Sequence, residues 1–501
     1  MIANLPERLR MGDKQKCVVI GAGIAGLAAA IRMKARGYEV EVYEAAPTPG
    51  GKMRQKYAND FRFDMGPSIV TLPHLIDELF ELHGKDPRAY FSYSLLEKPF
   101  KFFFEDGTLI QAYSDTEKFG EEIENKTEDT KKRFKKYLKN IRKKYTITRP
   151  VFIERSIHRV KDMLHHNVVL GLIRFSKIEA FKTMDKANRN HFKDSRMVRM
   201  FNNYATYVGS NPFVAPATLN VIQHLELSLG MYMPDKGIYS IVEALFKLAE
   251  DVGIRFYFNS RVERILAEQT KAHGVLVNGH NVEADLVVSN MDVYLTYQHL
   301  LPDWTPPQHV INQPKSSSAV AFFWGMDRSF EQLGVHNMLY TEDQKEEFRA
   351  IYSDQNISSD PSLYLYISSK HVPADAPKGK ENWFVLITAP NNQGQHWDEI
   401  VEETRKTAIS KISRMLGEDI EDHIEYEDHI DPQKIEADLL GAYGSIYGNS
   451  SNSMFAAFLR HANFSRQIER LYFVGGSVHP GAGIPMCLNS AKIMEQVLRD
   501  K

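Results

Sequence analysis

Cysteine is almost missing: Cys17 and Cys487 are the only two in 501 residues. They fall in what read as a buried strand and a helix start, so a disulfide framework is excluded, no pairing between them is expected, and the compartment reads as reducing. Long apolar runs are missing too. No stretch approaches the roughly 20 residues that cross a bilayer, and the opening MIANLPERLRMGDKQK has no apolar core followed by a small-residue cleavage site. A cytoplasmic, non-spanning protein is the expectation. Several chemistries are absent as well: there is no GxSxG turn, no Cys/His/Asn arrangement and no metal-ligand spacing. The pair His165-His166 lies in a basic helical stretch and reads as solvated surface, so no metal is expected.

An overall excess of either charge is also lacking, with 62 Lys/Arg against 64 Asp/Glu, but the charges are unevenly placed. Residues 126–199 hold 22 Lys/Arg against 7 Asp/Glu, a net +15, which leaves the remainder acidic. Without a module that interleaves aromatic and basic residues, this excess does not read as a nucleic-acid site. Apolar residues recur every three or four positions within it, at Phe134, Tyr137, Leu138 and Ile141, and then at Val168, Val169, Leu170, Leu172 and Ile173, so the region reads as a helical insertion. Basic helices with apolar stretches such as residues 167–175 can lie on an anionic leaflet, each near-surface Lys/Arg contributing ~1 kcal/mol. A solvated helical face is the competing reading of the same charge.

What is plentiful is α/β patterning. The composition, 43% hydrophobic and 25% charged, suits two or three globular lobes. Residues 16–21 read as a buried strand, 24–36 as a helix and 38–44 as a second strand. Between the first two lies Gly21-Ala22-Gly23-Ile24-Ala25-Gly26, and Glu44 ends the next strand. This is the dinucleotide fingerprint: Gly21 and Gly23 allow a tight turn and close approach to a pyrophosphate, Gly26 allows close helix–strand packing, and Glu44 can accept from ribose hydroxyls. The fingerprint alone does not separate NAD from FAD. Pro49-Gly50-Gly51-Lys52-Met53-Arg54 and a second glycine-rich loop at 475–486 favour FAD, which is long enough to touch both.

Further on, SIVEALFKLAEDVG reads as a helix, IRFYFNSRVERIL as one strand, Asn278-Gly279 as a turn and ADLVVSN as another strand. SSAVAFFWGMD, SLYLYISS and NWFVLITAP then point to a separate mixed sheet. LYFVGG, the loop SVHPGAGIP and a helix from Cys487 follow. No repeat or low-complexity linker appears, so the lobes are expected to be interleaved.

VVIGAGIAGLAAAIRM, PGGKM, FDMGPSIV, MYMPDKGIYSIVEAL, ADLVVSNMD and LYFVGGSVHPGAGIPMCLNSAKI, in that order, resemble the carotenoid (phytoene) desaturase branch of the flavin amine oxidase superfamily over most of the chain. HPGAGIP before the last helix is the most specific piece, and the nearest branch is that of the hydroxycarotenoid 3,4-desaturases. The resemblance implies an α/β fold: a discontinuous Rossmann-like FAD-binding domain (1–95, 225–300 and 460–501), a mixed β-sheet substrate domain (96–117 and 301–459) and a helical, basic, membrane-associating subdomain (118–224). It also implies that Gly21 to Gly26, Glu44 and Ala45 hold the adenosine and pyrophosphate, and that Val262 and Asn290 flank the adenine side. Gly51, Lys52, Ser68 and Ile69 would lie along the flavin; Gly475, Gly476 and Gly483, Ile484, Pro485 and Met486 would meet its ribityl and ring system.

The implied activity is FAD-dependent desaturation of an acyclic or 1-hydroxylated carotenoid in carotenoid biosynthesis: a hydride passes to flavin N5 and a proton leaves the neighbouring carbon. Such an oxidoreductase needs neither metal nor nucleophile. A long apolar substrate drawn from lipid would make it a peripheral membrane protein, and the flavin's reoxidant, oxygen or a quinone, stays open. Asp64, His224, Glu226, Asp292 and His479 lie near the motifs as candidate bases, but capping or packing roles compete at each, and the catalytic residue is left unassigned. Cys487 reads as small filler rather than as a reactive thiol or flavin anchor. Rival readings are a phytoene-type desaturase, a carotenoid isomerase or saturase, another amine-oxidase-like flavoenzyme, or a lipid carrier on the same fold that has lost its flavin.

Overall fold

The computed structural model describes residues 15–163, 168, 178–453, 456 and 460–500. It opens with β1 (Lys16–Ile20), α1 (Ile24–Ala35) and β2 (Glu39–Tyr43), the expected βαβ unit. β1 and β2 run parallel, from Lys16 opposite Glu39 to Ile20 opposite Tyr43. A parallel strand is covered on both faces, which is why Cys17 to Ile20 are all apolar and buried. Five strands make this sheet, in the order Leu471–Phe473, Leu286–Ser289, β1, β2, Arg255–Tyr257, and every pairing is parallel. Ala28, Ala29 and Ala30 keep α1 slim, so it packs against both the last helix, Ile484–Arg499, and the helix Ser240–Asp251. Arg32, buried on α1, pairs with Glu78 and with Glu495 of the last helix.

IRFYFNSRVERIL is not one strand. Arg255–Tyr257 completes the parallel sheet, Asn259 turns the chain through the left-handed region (φ 51°), and Val262–Glu268 begins an antiparallel meander with Lys271–Val277 and His280–Glu283. Asn favours such a turn because its short polar side chain tolerates that conformation. Asn278-Gly279 makes the expected turn, both residues at positive φ, but it joins two strands of the meander rather than leading into Leu286–Ser289.

The third sheet is mixed and seven-stranded: Ile424–Ile430, Ser318–Met326, Glu381–Ala389, Leu363–Tyr366, His336–Leu339, Phe100–Phe103 and Leu109–Gln111 in spatial order. Its side chains alternate. Trp383, Val385 and Ile387 pack under the helix Trp397–Leu416, whereas Phe384, Leu386 and Thr388 face a cavity.

The basic region is largely helical where it is described, with helices Thr116–Lys126, Lys131–Thr148, Met184–His191 and Ser195–Asn202. Phe134, Tyr137 and Ile141 of Lys131–Thr148 are buried in an aromatic cluster with Phe119, Phe192 and Phe201. The opposite face exposes Lys132, Lys136, Lys139 and Lys143. His165, His166, Val169, Leu170, Leu172, Ile173 and, apart from Val168, the stretch 167–175 lie outside the described residues. Among the described residues no helix is long and apolar enough to cross a membrane, and no cluster could hold a metal ion. Both cysteines are unpaired.

Candidate active site

The fingerprint glycines form a wall that tolerates no side chains. Gly21 has φ 92°, and a Cβ on Gly26 would lie 2.1 Å from the Gly21 carbonyl oxygen. Asn290, just beyond Leu286–Ser289, reaches to the ends of both neighbouring strands, Leu471–Phe473 and β1. Its Nδ2 donates to the Val474 carbonyl (3.2 Å), and its Oδ1 lies 2.7 Å from where a Cβ on Gly23 would be. A Cβ on Gly475 would lie 2.8 Å from Asn290 Nδ2, and one on Gly51 would lie 3.2 Å from Gly23 Cα. Gly21, Gly23, Gly26, Gly51, Asn290 and Gly475 are therefore brought together.

Glu44 is pinned beside them, accepting from the Ala22 N–H (2.7 Å) and the Ala46 N–H (2.8 Å), with Ala45 exposed next to it. Ala22, Ile24 and Ala25 are buried, so they present backbone rather than side chains. At the start of α1, Gly23 supplies no side-chain cap and the first turn carries no acid. Its orphan N–H groups and positive end suit an anion. The last helix begins the same way at Ile484, after Gly483 at φ 101°, with Pro485 in its first turn and no acid there. Two uncapped helix starts, a bare glycine wall and a fixed carboxylate fit a dinucleotide.

Ser68, Ile69, Gly483, Ile484, Pro485 and Met486 meet at a cavity of about 360 Å³. Lys52 donates to the carbonyls of Ile446 (2.7 Å) and Ser445 (3.3 Å), and burial holds its pKa below the usual lysine value. Gly476 approaches Cys487, where an added Cβ would be 3.8 Å from Sγ. Burial pushes that thiol up to about 11, so it stays protonated, as a filler would. Val262 stands apart: its side chain packs in the core with Val18 and Val277, which leaves only its backbone for a ligand.

The candidate bases separate once their partners are known. Asp64 belongs to a buried ion cluster in which Arg62 bridges it to Asp375, and it accepts from the N–H groups of Ile238 and Tyr239. Asp292 caps a short helix through the Tyr294 N–H (2.9 Å). His224 is buried, held down to about 4 mainly by burial, and does not line the cavity. His479 does line it, but its Nε2 is engaged by the Arg155 carbonyl (2.8 Å) and burial holds it near 3. Glu226 lines it too, held by Tyr204 and Tyr207, and burial raises it to about 7 against those hydrogen bonds.

Sequence reasoning named Ser68 but missed the polar groups Tyr364 and Arg460 of the cavity and His336 behind it. Ser68 Oγ meets Tyr364 OH at 2.6 Å, and that hydroxyl meets His336 Nδ1 at 2.8 Å. Arg460 is buried and donates to the carbonyls of Tyr447, Gly476 and Asn449. Nothing in their local sequence marks them, because their partners lie on other elements.

The pattern of the flavin containing amine oxidoreductases matches residues 24–494. The chain belongs to that family. It is an FAD-dependent oxidoreductase with the family's α/β fold. A 1-hydroxycarotenoid 3,4-desaturase from a Flavobacterium species (strain P99-3) is 42% identical over 97% of this chain and 99% of its own. A 4,4'-diapolycopene oxygenase from a Methylomonas species is 32% identical over 98% of this chain and 99% of its own. Among solved structures, cyclohexylamine oxidase from Brevibacterium oxydans IH-35A superposes with a TM-score of 0.63 at 15% identity, covering 97% of this chain and 99% of that one. The superposition speaks to the fold alone.

Proposed function

We propose that this flavoenzyme desaturates a carotenoid, with a 1-hydroxylated carotenoid at its 3,4 bond as the best-supported substrate. The nearly end-to-end match at 42% identity carries the reading. The cavity supports it: Phe100, Phe102, Phe384 and Leu386 give it an apolar wall that takes a polyene and excludes water.

In this reading Gly21, Ala22, Gly23, Ile24, Ala25, Gly26, Glu44 and Ala45 hold the adenosine and pyrophosphate, with Val262 and Asn290 on the adenine side. Gly51, Lys52, Ser68, Ile69, Gly475, Gly476 and Gly483, Ile484, Pro485 and Met486 hold the flavin half. Bound FAD supplies the acceptor for the hydride that leaves one substrate carbon, while a proton leaves its neighbour. The uncapped helix start at Ile484 offers its positive end to negative charge. His336 fixes the Tyr364 hydroxyl, and that hydroxyl fixes Ser68 at the cavity wall. The expected division into FAD-binding, substrate and helical units is carried forward as part of this proposal.

A carotenoid buries on the order of 40 carbons at ~0.8 kcal/mol each, so transfer through water is negligible and the substrate must come from lipid. The cavity wall includes Thr148, Phe152 and Ile153, at and just beyond the end of the basic helix Lys131–Thr148. A peripheral, leaflet-bound orientation of that helix would place the opening against lipid.

The test is anaerobic incubation of the FAD-loaded protein with liposomes carrying a 1-hydroxycarotenoid. Flavin bleaching together with a red-shifted polyene spectrum is the expected result; an unchanged spectrum in both bands overturns the desaturase reading. The 32% identical oxygenase favours a second reading, oxidation of the chain end by oxygen. A product heavier by oxygen, formed in air and absent under anaerobic conditions, would select it.

A further inference from the structure

Glu226 is the one carboxylic acid on the cavity wall among the described residues. It lies near the end of the helix Val221–Leu227, whose Ile222 and Leu225 give the neighbouring wall its apolar character. Tyr204 and Tyr207 come from the adjoining turn Asn203–Val208. Tyr204 OH donates to Glu226 Oε1 and Tyr207 OH donates to Oε2 at 2.9 Å, and the Glu226 residue is only 6% exposed. A carboxylate offers about four lone-pair sites, and these two donors fill half of them.

The other charged or ring-nitrogen groups of the wall, and the Ser68–Tyr364 pair, are engaged by protein. Arg460 is spread over three carbonyls, His479 Nε2 is held by Arg155, and Ser68 bonds Tyr364, which also bonds Nδ1 of His336 behind the wall, while Nε2 of that histidine has no hydrogen-bond partner. Glu226 and its two tyrosines thus form a polar patch with acceptor capacity to spare, set in an apolar chamber. A bare hydrocarbon end would seal water away from that patch and supply no donor. A hydroxylated end supplies one O–H, and its oxygen can also accept.

We propose that Tyr204, Tyr207 and Glu226 form the subsite that receives the hydroxyl of a hydroxylated polyene end, the substrate O–H donating to a Glu226 oxygen, and that this subsite sets the preference for hydroxylated over bare ends. The proposal rests on the carotenoid-desaturase reading above. It deepens that reading by naming what distinguishes one carotenoid from another. Because burial brings Glu226 up to about 7, the protonated form is also available to donate to the substrate oxygen near neutrality.

The test compares two polyenes of equal length and conjugation, one carrying the end hydroxyl and one lacking it, in liposomes with the FAD-loaded protein. Anaerobic flavin reduction is followed against polyene concentration for wild type, Glu226→Leu, Glu226→Gln and Tyr207→Phe. Wild type is expected to favour the hydroxylated polyene at least 100-fold in kcat/KM, since a site built to pair a hydroxyl rejects the analogue without it strongly. Glu226→Leu should shrink that ratio at least 10-fold through the KM of the hydroxylated polyene, and Tyr207→Phe should shrink it by a smaller factor. If Glu226→Leu fails to fold, as judged by FAD content and melting temperature, the near-isosteric Glu226→Gln carries the same comparison.

A preference that survives the Glu226 variants overturns the proposal. So does an equal fall in kcat for both polyenes with unchanged KM, which would mark the cluster as serving the chemistry or the packing. Wild type that bleaches with both polyenes alike also overturns it while leaving the desaturase reading standing. Wild type that bleaches with neither removes that reading and this one together.

Discussion

At Gly26 a single hydrogen atom decides whether α1 can lie against β1. A methyl group there would meet the Gly21 carbonyl oxygen at 2.1 Å, and both partners are backbone, so neither can swing away. Gly26→Ala is expected to purify with less than a tenth of the wild-type flavin absorbance per protein and with a lower melting temperature, overpacking of this kind costing about 1–3 kcal/mol. Full flavin content in the variant would remove Gly26 from the cofactor cradle. Residues like this are legible in sequence because their whole role is local: strand, turn and helix supply the context within some thirty positions. Acidic residues are not legible in the same way. Asp64 and Glu226 both stand beside motifs, but one is bridged through Arg62 to Asp375 and the other is hydrogen-bonded by two tyrosines on a cavity wall. Only the partners distinguish a structural ion pair from a group left free to meet substrate.

The helix Lys131–Thr148 shows which part of an element its periodicity can reveal. The apolar residues at Phe134, Tyr137 and Ile141 correctly mark its buried stripe. The charges on the other side fit either water or lipid headgroups, since solvent and an anionic leaflet select the same residues. Lys132, Lys136, Lys139 and Lys143 line one exposed stripe. Reversing all four to Glu is expected to abolish sedimentation with anionic vesicles at low salt, each lysine contributing ~1 kcal/mol. Wild-type binding should itself weaken as salt shortens the screening length to about 10 Å at 0.1 M. Wild type that stays in the supernatant at low salt would defeat the membrane reading. Strands were harder to read than this helix. Apolar residues on both sides of Asn259 hide the break there, and the histidine and glycine of Lys271–Val277 dilute its alternation.

Across the whole molecule, buried ionisable groups of opposite kind set the response to pH. Burial holds His336 and His479 near 3 and His224 near 4, so they are neutral when folded but take protons below about 6.5 when unfolded. As pH falls from 6.5 the unfolded chain therefore binds more protons than the native one, and these three groups cost stability. Glu226 and Glu347 are raised by burial to about 7 and act the other way: between about 7 and 4.5 the native chain holds protons that the unfolded chain has released. Burial also lowers His191 and His371 and raises Asp375, so the lowered histidines outnumber the raised acids and the balance costs stability as pH falls. Melting temperature should thus fall gently from pH 6.5 to 4.5 and steeply below 4.5, where the two glutamates no longer oppose the histidines. Glu347→Gln, which takes one compensating acid away, should steepen the upper slope. Equal slopes in the two proteins would mean that Glu347 ionises normally. None of these groups announces its state in sequence, since burial by the assembled lobes is what shifts them.

The strand Leu471–Phe473 and the helix Ile484–Arg499 complete a cleft begun by Gly21 to Gly26, roughly 450 residues earlier. On a ribosome adding about 5–20 residues per second, the first half of the cradle waits on the order of half a minute or more for the second. In the later part of that interval, once Leu286–Ser289 has been made, its parallel sheet edge lacks its outer neighbour, the kind of edge that invites mispairing. Vitamin supply therefore acts on the finished chain rather than the growing one, and a riboflavin-starved cell should accumulate full-length protein that is slow to escape chaperones.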